Sequence, residues 1–309
     1  MKVGIVLPHL GLAASPEAVV EAARRAEELG YDTLWITERL LYALEPQSPY
    51  PGTPDGSHPE FFKRSIDPFI TLAVAATQTR RIGIGTNVAV MFYYSPIVLA
   101  RLLTALDLYS GGRLLVGLGQ GWNKDEFEAV GVSTRGRTRR ADEYLAVLKA
   151  IWTQEPVQFE GRYYRIPKSI IQPKPLQKPH PPIYIGGYAP DVLRRAATLA
   201  DGWTPSGRTV RTLSRMAEMI STVKELARQA GRDPAQVKVI VRGNVELTES
   251  PLKAEERAIF MGTLEQIKGD VQGLRELGVD EVFFDPTFST AVRTREDYFY
   301  RLEALRELA

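Results

Sequence analysis

The sequence predicts an α/β fold, a (β/α)8 or TIM barrel, from three observations. First, amphipathic helical segments alternate with short β-branched runs, and a glycine usually separates the two. Second, these runs number about eight, with centres near residues 5, 35, 84, 116, 184, 203, 241 and 282. Third, the chain of 309 residues ends in a helical segment, as expected for a single barrel of this size. A doubly wound sheet has similar local patterns, and the count of eight strands favours the barrel.

The helices are predicted from apolar spacing and from signals at their ends. Within residues 18–29 the apolar side chains recur at intervals of three and four, so they share one helix face. Ser15 can cap the start of this helix, and Gly30 suits its end. Asp67–Pro68 and Ser95–Pro96 open two further helices in the same way. The strand runs are short and almost continuously apolar, which is typical of parallel strands buried on both faces.

Two segments interrupt the alternation of strands and helices. Residues 39–66 form a long loop after the second strand, and residues 122–182 form an insertion after the fourth. Both follow the carboxyl ends of strands, where barrel enzymes build their active sites. The aromatic residues of the first loop, among them Tyr42 and Tyr50, indicate that it is ordered. We expect one barrel domain, residues 1–309, with both insertions at its mouth.

The composition excludes several classes of function. Hydrophobic residues make up 44% of the chain and charged residues 25%, which is typical of a globular protein. The absence of cysteine excludes disulfides and thiolate chemistry, and three scattered histidines give no reason to expect a metal site. A net charge of +2 does not favour nucleic acid or a membrane surface as partner. The first apolar run is too short for a signal peptide, so we expect a cytoplasmic protein that acts on a small molecule.

A glycine-rich run, RLLVGLGQGW, occupies residues 113–122. A dinucleotide-binding loop would read G-x-G-x-x-G and would open a helix, whereas the spacing here is G-x-G-x-G. The residues that follow, WNKDEFEAVGV, are not expected to form a helix packed on the strand. Two explanations remain open. The glycines let the backbone approach a flat ligand at the barrel mouth, or they allow a tight exit from the strand.

With this run the chain resembles the bacterial luciferase-like superfamily of flavin and deazaflavin oxidoreductases. The closest likeness is to its single-barrel members that use coenzyme F420, and it covers nearly the whole chain. The segments that carry the resemblance are ELGYDTLWITE, IDPFITLAVAATQTRRIGIGTNV, YSPIVLARLLTALDLYSGGRLLVGLGQGW, RGRTRRADEYLAVLKAIWT and PKPLQKPHPPIYIGGYAPDVLRRAATLADGW. The resemblance implies hydride transfer between F420 and a small, partly apolar organic substrate, and it implies a homodimer.

The resemblance also implies a cofactor site. A non-prolyl cis peptide would lie under the ring at Asn87–Val88, and the glycine run would line the ring edge. A phosphate would bind at the helix start after Gly187, and Arg137 would meet the polyglutamate tail. The implied cofactor-binding residues are Thr86, Asn87, Val88, Gly117, Gly119, Gln120, Gly121, Gly186, Gly187, Tyr188, Ser206, Arg208 and Arg137. The structural alternatives are a continuing strand, an ordinary turn and a solvated helix start.

The candidate catalytic residues are His9, Glu38, Arg39 and Trp122. Many F420 enzymes of this group carry Asp-His where this chain has Glu38-Arg39. The sugar-phosphate dehydrogenases of the same superfamily carry a Glu acid where this chain has Trp122, so we do not expect sugar-phosphate dehydrogenase activity. Glu38 can act as an acid or base if burial raises its pKa, or it can pair with Arg39. His9 follows the first strand and should face the mouth.

Three alternative functions remain open at this point. An FMN-dependent monooxygenase would need a separate flavin reductase as its partner. A cofactor-free lyase or isomerase usually places a lysine or carboxylate inside the barrel, and no strand here carries an evident buried lysine. A non-catalytic flavin-binding paralogue would explain the missing Asp-His pair. Turnover separates this last alternative from an enzyme.

Overall fold

Eight parallel strands close into a barrel in the computed structural model, which describes residues 1–53, 55–255 and 257–308. Pro54 of the long loop, Glu256 and the terminal Ala309 lie outside the described residues. The strands are β1 Lys2–Val6, β2 Thr33–Ile36, β3 Gly83–Thr86, β4 Leu114–Gly119, β5 Ile183–Ile185, β6 Gly202–Trp203, β7 Lys238–Asn244 and β8 Glu281–Asp285. They run in the order β3-β2-β1-β8-β7-β6-β5-β4, and pairing of β3 with β4 closes the ring. The predicted fold class is confirmed, and all eight predicted centres fall inside these strands.

The helices surround the strands, and their ends follow the predicted signals. Ser15, Asp67 and Ser95 each accept the backbone N–H three residues further on, at 3.1, 2.8 and 3.4 Å. Gly30 has φ +81° and follows the end of the first helix. The helices are α1 Pro16–Glu28, α2 Pro68–Gln78, α3 Pro96–Ser110, α4 Lys124–Ala129, α5 Arg137–Thr153, α6 Pro190–Thr198, α7 Gly207–Val210, α8 Leu213–Gln229, α9 Leu264–Glu276 and α10 Arg295–Arg306. None of the described helices is long and apolar enough to cross a membrane.

Bulky side chains fill the inside of the barrel. Trp35 stacks on Phe283 with ring centroids 4.7 Å apart. The carboxylate of Glu281 accepts hydrogen bonds from the Thr33 hydroxyl at 2.5 Å and from Trp35 Nε1 at 2.8 Å. Burial raises the pKa of Glu281 to about 7. This packing fills the inside of the barrel, which is a packed core and not a pore.

The insertion after β4 differs from the sequence prediction at one place. Residues that were not expected to form a packed helix make α4, in which Glu126 and Phe127 are fully buried. The Asn123 side chain caps α4 by accepting the Asp125 N–H at 3.0 Å. Six residues are too few to show a helical period, which explains why the sequence pattern did not reveal the helix. The rest of the insertion holds α5 and an antiparallel pair, Val157–Glu160 with Arg165–Ser169.

The long loop after β2 packs over the barrel mouth. Its Phe62 lies against Phe288, which follows β8, and against Leu10, which follows β1. Tyr50 packs edge-on against Phe62 with ring centroids 5.2 Å apart. The loop therefore forms one wall of the mouth, in the position that the sequence predicted for it.

Candidate active site

A cavity of about 420 Å³ lies at the carboxyl ends of the strands. Most of the predicted site residues line it, and three do not: His9, Thr86 and Gly117. A larger and more open groove of about 720 Å³ lies on the outer wall between α1 and α10, and none of the predicted residues lines it. The predicted residues that line the cavity are Glu38, Arg39, Asn87, Val88, Gly119, Gln120, Gly121, Trp122, Arg137, Gly186, Gly187, Tyr188, Ser206 and Arg208.

A ledge at the end of β3 forms part of the cavity floor. The Asn87–Val88 peptide is cis, as the resemblance implied. The Asn87 side chain donates to the Thr204 hydroxyl at 2.6 Å, and the Asn87 N–H donates to the Ile36 carbonyl at 2.7 Å. Val88 is half-buried and lines the cavity. The ledge is thus fixed from both sides and presents an apolar side chain to a ligand.

The glycines of β4 and β5 make room for this ledge. A Cβ on Gly117 would lie 2.0 Å from the Thr86 carbonyl oxygen. Cβ atoms on Gly119 and Gly186 would lie 2.5 and 2.8 Å from the Val88 side chain. Gly117 is therefore required by chain packing, which favours the structural explanation at that position. Gly119 and Gly186 also line the cavity, where the approach of a flat ligand to the backbone stays a prediction.

One end of the cavity presents backbone donors. The N–H groups of Gly187, Tyr188 and Ala189 donate to none of the residues that the structure describes. Ala189 is the N-cap of α6 and has no side-chain cap, and Gly187 has φ +132°, which favours glycine. Unpaired N–H groups at a helix start, together with the helix dipole, favour an anion. This end of the cavity can bind a phosphate group.

A carboxylate lies beside these donors, near a buried cation. Asp191 lines the cavity in the first turn of α6, and sequence reasoning missed it. Arg195 Nη2 lies 3.5 Å from its carboxylate, and the Gln120 side chain donates to the same oxygen at 3.4 Å. The Arg195 side chain is 1% exposed. Arg195 lies closer to Asp142, with 2.6 Å between Nε and Oδ1, so Asp191 shares this cation with a second carboxylate.

Glu38 lies at the other end of the cavity and is 3% exposed. One of its carboxylate oxygens accepts the Val90 N–H at 2.6 Å, and the other accepts the Tyr94 hydroxyl. Burial raises the pKa of Glu38 to about 7, although both hydrogen bonds act in the opposite direction. This carboxyl can hold or release a proton near neutral pH, as the sequence analysis required of an acid or base.

Arg39 pairs with Glu126 and not with Glu38. Its Nη1 lies 2.9 Å from Glu126 Oε2. Its guanidinium stands 4.9 Å from the Trp122 ring centroid and 4.8 Å from that of Phe62. The cation is held between two rings and one buried carboxylate, so Arg39 presents a fixed, charge-balanced donor to the cavity.

His9 does not reach the cavity, which corrects the expectation that it faces the mouth. The ring is fully buried, and Nδ1 lies 2.8 Å from the Leu7 carbonyl. Nε2 accepts the Thr37 N–H at 3.0 Å. Burial lowers the pKa of His9, so the ring is neutral at pH 7. The backbone at His9 is bonded to the end of the long loop, because the Ile66 N–H donates to the His9 carbonyl at 2.9 Å.

Trp122 lines the cavity and packs against the long loop. Its ring centroid lies 5.2 Å from that of Tyr50 and 5.2 Å from that of His58. Tyr50 also lines the cavity, and sequence reasoning did not assign it to the site. His58 contacts Trp122 from the side, and the structure does not place it among the cavity-lining residues.

Two further polar residues of β7 were missed. Arg242 and Asn244 line the cavity, and Arg242 Nε donates to Asp285 at 2.8 Å. The Asn244 amide oxygen accepts the Ser206 hydroxyl at 2.7 Å. An arginine inside the apolar run VKVIVRGN is a signal that could have identified this part of the site.

Arg208 ties the tip of the long loop to the barrel, because its Nε donates to the Gly52 carbonyl at 2.8 Å. Replacing Arg208 with alanine is expected to speed amide hydrogen exchange in residues 47–53 by about fivefold, since such a bond contributes roughly 1 kcal/mol. Exchange mass spectrometry measures this directly. Arg215→Ala, which removes an exposed pair with Glu218, is the control. Equal exchange in both variants would show that Arg208 does not hold the loop.

The sequence matches proteins of one family along most of its length. The model of that family, described as luciferase-like monooxygenase, matches residues 1–297. An uncharacterized protein of Mycobacterium tuberculosis is 34% identical over 235 residues, 75% of this chain and 80% of the relative. An F420-dependent glucose-6-phosphate dehydrogenase of Kineococcus radiotolerans is 28% identical over 255 residues, 81% and 70% of the two chains. An FMNH(2)-dependent dimethylsulfone monooxygenase of Pseudomonas putida is 32% identical over 174 residues, 54% and 48%.

Solved structures share the barrel. The monooxygenase RslO1 from Streptomyces bottropensis has a TM-score of 0.79 at 23% identity, covering 100% of this chain and 99% of that one. An F420-dependent secondary alcohol dehydrogenase has a TM-score of 0.77 at 19% identity, covering 100% and 98%. At these identities the two likenesses show the fold, while the family model rests on the sequence itself. The chain belongs to the luciferase-like monooxygenase family.

Proposed function

We propose that this protein is an oxidoreductase that transfers a hydride between coenzyme F420 and a small, partly apolar organic substrate. One observation supports this proposal most strongly. The same cavity is lined by unbonded backbone donors at the start of α6 and by a buried carboxyl, Glu38, whose pKa burial raises to about 7. Its family consists of oxidoreductases and monooxygenases, and relatives with either F420 or FMN in their names are among its matches.

The residues present fit the groups of F420. The N–H groups of residues 187–189 suit its phosphate, and the Val88 ledge suits the face of its ring system. Arg137 lines the cavity and can pair with a carboxylate of the tail, while Ser206 and Arg208 can add contacts near the phosphate. When bound, F420 supplies a ring that passes two electrons as a hydride.

The chain itself supplies proton transfer and exclusion of water. Glu38 gives its proton to the substrate when the substrate is reduced, and takes a proton from it when the substrate is oxidised. Trp122 and Tyr50 form an apolar wall that shields the reacting atoms from water. Arg39, balanced by Glu126, is a fixed hydrogen-bond donor that can orient a polar group of the substrate.

An FMN-dependent monooxygenase with a separate reductase is the second candidate. The Pseudomonas putida relative, whose name specifies reduced FMN, favours it. The cavity would hold the same phosphate and ring. We further propose that the protein is a homodimer, which rests on the resemblance alone, and that it acts in the cytoplasm, which rests on the shortness of the first apolar run.

Calorimetric titration with F420 and, separately, with FMN tests the cofactor assignment. We expect F420 to bind more tightly. Ala189→Pro removes one unbonded N–H without changing charge, and Ala189 has φ −67°, which proline adopts. Loss of a hydrogen bond to a charged group, about 1.5–3 kcal/mol, should weaken F420 binding roughly 10- to 100-fold.

A phosphate-free deazaflavin riboside is the control ligand for this variant. Its affinity should be nearly the same for both proteins, because it lacks the group that the Ala189 N–H would contact. Equal weakening of both ligands would mean that the substitution merely damages the cavity. FMN binding more tightly than F420 would support the monooxygenase candidate, and no binding of either would overturn both.

A further inference from the structure

A cluster of charged groups lies beside Glu38 in the wall of the cavity. The charged and titratable groups that act on Glu38 come from the segments after β2 and β3 and from α4 and α5: Arg39, Tyr93, Tyr94, Glu126 and Tyr144. Arg39 lines the cavity, and Glu126 lies behind it. The wall thus holds two carboxyls and one arginine, with Glu38 and Arg39 adjacent in sequence.

Glu126 does not line the cavity, and its carboxylate accepts hydrogen bonds from three donors. It accepts Arg39 Nη1 at 2.9 Å, the Leu40 N–H at 2.8 Å and the Tyr93 hydroxyl at 2.6 Å. The residue is fully buried. A buried carboxylate with three donors fixes the position of each donor. Glu126 therefore determines where the Arg39 guanidinium stands between the Trp122 and Phe62 rings.

The signs of the charges around Glu38 oppose one another. The positive charge of Arg39 lowers the pKa of Glu38, whereas the negative charge of Glu126 raises it. Without Glu126, Arg39 would act alone and would favour the carboxylate form of Glu38. With Glu126, the arginine stays in the wall as a donor while its charge is largely offset.

We propose that Glu126 is a positioning residue that fixes Arg39 in the cavity wall and offsets its charge, so that Glu38 keeps a proton available for transfer. This inference rests on the proposed function, since it assigns a purpose to the proton on Glu38. It gives the chain a proton-handling unit of Glu38, Arg39 and Glu126 in place of the Asp-His pair.

Infrared pH titration of the protein without cofactor tests the proposal directly. Glu281 is another buried carboxyl with a pKa of about 7. The band of protonated Glu38 is therefore identified by its loss in Glu38→Gln. Glu126→Gln removes a like charge and leaves Arg39 uncompensated, so the midpoint of this band should fall by about one pH unit or more. Arg39→Gln should raise the midpoint, and the double variant should lie between the two.

Glu143→Gln is the matched control, because the Glu143 carboxylate also has three donors, the backbone N–H groups of residues 162–164, but is not among the groups that act on Glu38. It should leave the Glu38 midpoint unchanged. A Glu126→Gln midpoint equal to that of the parent, or higher, would overturn the proposal. If Glu126→Gln does not fold, Arg39→Gln decides, and an unchanged or lowered midpoint there would overturn it.

The infrared titration and the cofactor-binding measurements test separate claims, so either claim can fail without the other. A lowered midpoint in a protein that binds no F420 would keep the role of Glu126 and overturn the cofactor assignment. Tight F420 binding with an unshifted midpoint would keep the cofactor assignment and overturn the role of Glu126. A merely structural role for Glu126 would lower the melting temperature and leave the midpoint where it was.

Discussion

Glu38→Gln is expected to lower turnover by about 10²- to 10⁴-fold, the usual contribution of a general acid or base. Glutamine keeps the size of the side chain and can still accept the Val90 N–H, but it cannot hold or release a proton at neutral pH. Cofactor affinity should be nearly unchanged, because Glu38 follows β2, three strands around the barrel from β5 and the α6 donors that follow it. The measurement is stopped-flow absorbance of bound F420 with the best substrate from a screen of small alcohols and ketones.

The pH dependence follows from the pKa of about 7 that burial gives Glu38. Below this pH the carboxyl is protonated and can act as an acid, so substrate reduction should be fastest there and should fall about tenfold per pH unit above it. Substrate oxidation needs the carboxylate and should rise through the same range. In Glu38→Gln neither the fall of the reduction rate with pH nor the rise of the oxidation rate should be seen.

Glu246→Gln is the control for this variant. Burial also raises the pKa of Glu246, and its carboxylate accepts the Ser289 hydroxyl at 3.0 Å, but it does not line the cavity. Its replacement should leave turnover close to that of the parent. Parental turnover in Glu38→Gln, or an equal loss in both variants, would remove Glu38 from the mechanism.

Gly117→Ala is expected to lower the free energy of unfolding by about 3 kcal/mol or more, as overpacking at a site that cannot relax does. The new Cβ would lie 2.0 Å from the Thr86 carbonyl oxygen. Thr86 cannot move aside freely, because its hydroxyl donates to the Gly117 carbonyl at 2.8 Å and accepts the Gly117 N–H at 3.0 Å. The melting temperature should fall by about 6 °C or more.

Gly269→Ala is the matched control, because a Cβ there would meet nothing within 4 Å. Gly269 lies inside α9, where alanine stabilises a helix by about 0.5–1 kcal/mol relative to glycine. Thermal unfolding should therefore move in opposite directions in the two variants. A Gly117→Ala protein as stable as the parent would mean that β4 tolerates a side chain against Thr86.

Local signals in the sequence were sufficient for the barrel. The caps at Ser15, Asp67 and Ser95 and the short apolar runs act within a few residues, so their outcome depends little on the rest of the chain. The position of the Asn87–Val88 bond came from the resemblance, since no local pattern in TNVAV distinguishes it from a continuing strand.

The parts of the site that were missed or misplaced depend on contacts between distant residues. Arg39 and Glu126 are 87 residues apart, and either could have been an ordinary solvated charge in sequence. His9 follows β1 as predicted, but its environment depends on contacts with Thr37 and with the end of the long loop near residue 66. No pattern within one segment specifies such contacts, so only the folded chain shows which charges meet.

Main-chain groups form one end of the cavity and side chains form the other, so the two ends can diverge in sequence at different rates. The end at the start of α6 consists of main-chain N–H groups at residues 187–189, which survive any substitution other than proline that keeps the backbone path. The other end consists of side chains, Glu38, Arg39 and Trp122, each of which a single codon change can replace. A lineage with this architecture can retain its backbone donors while the side chains at the other end are exchanged one residue at a time. Dehydrogenases and monooxygenases on a single scaffold are the expected outcome of such a division.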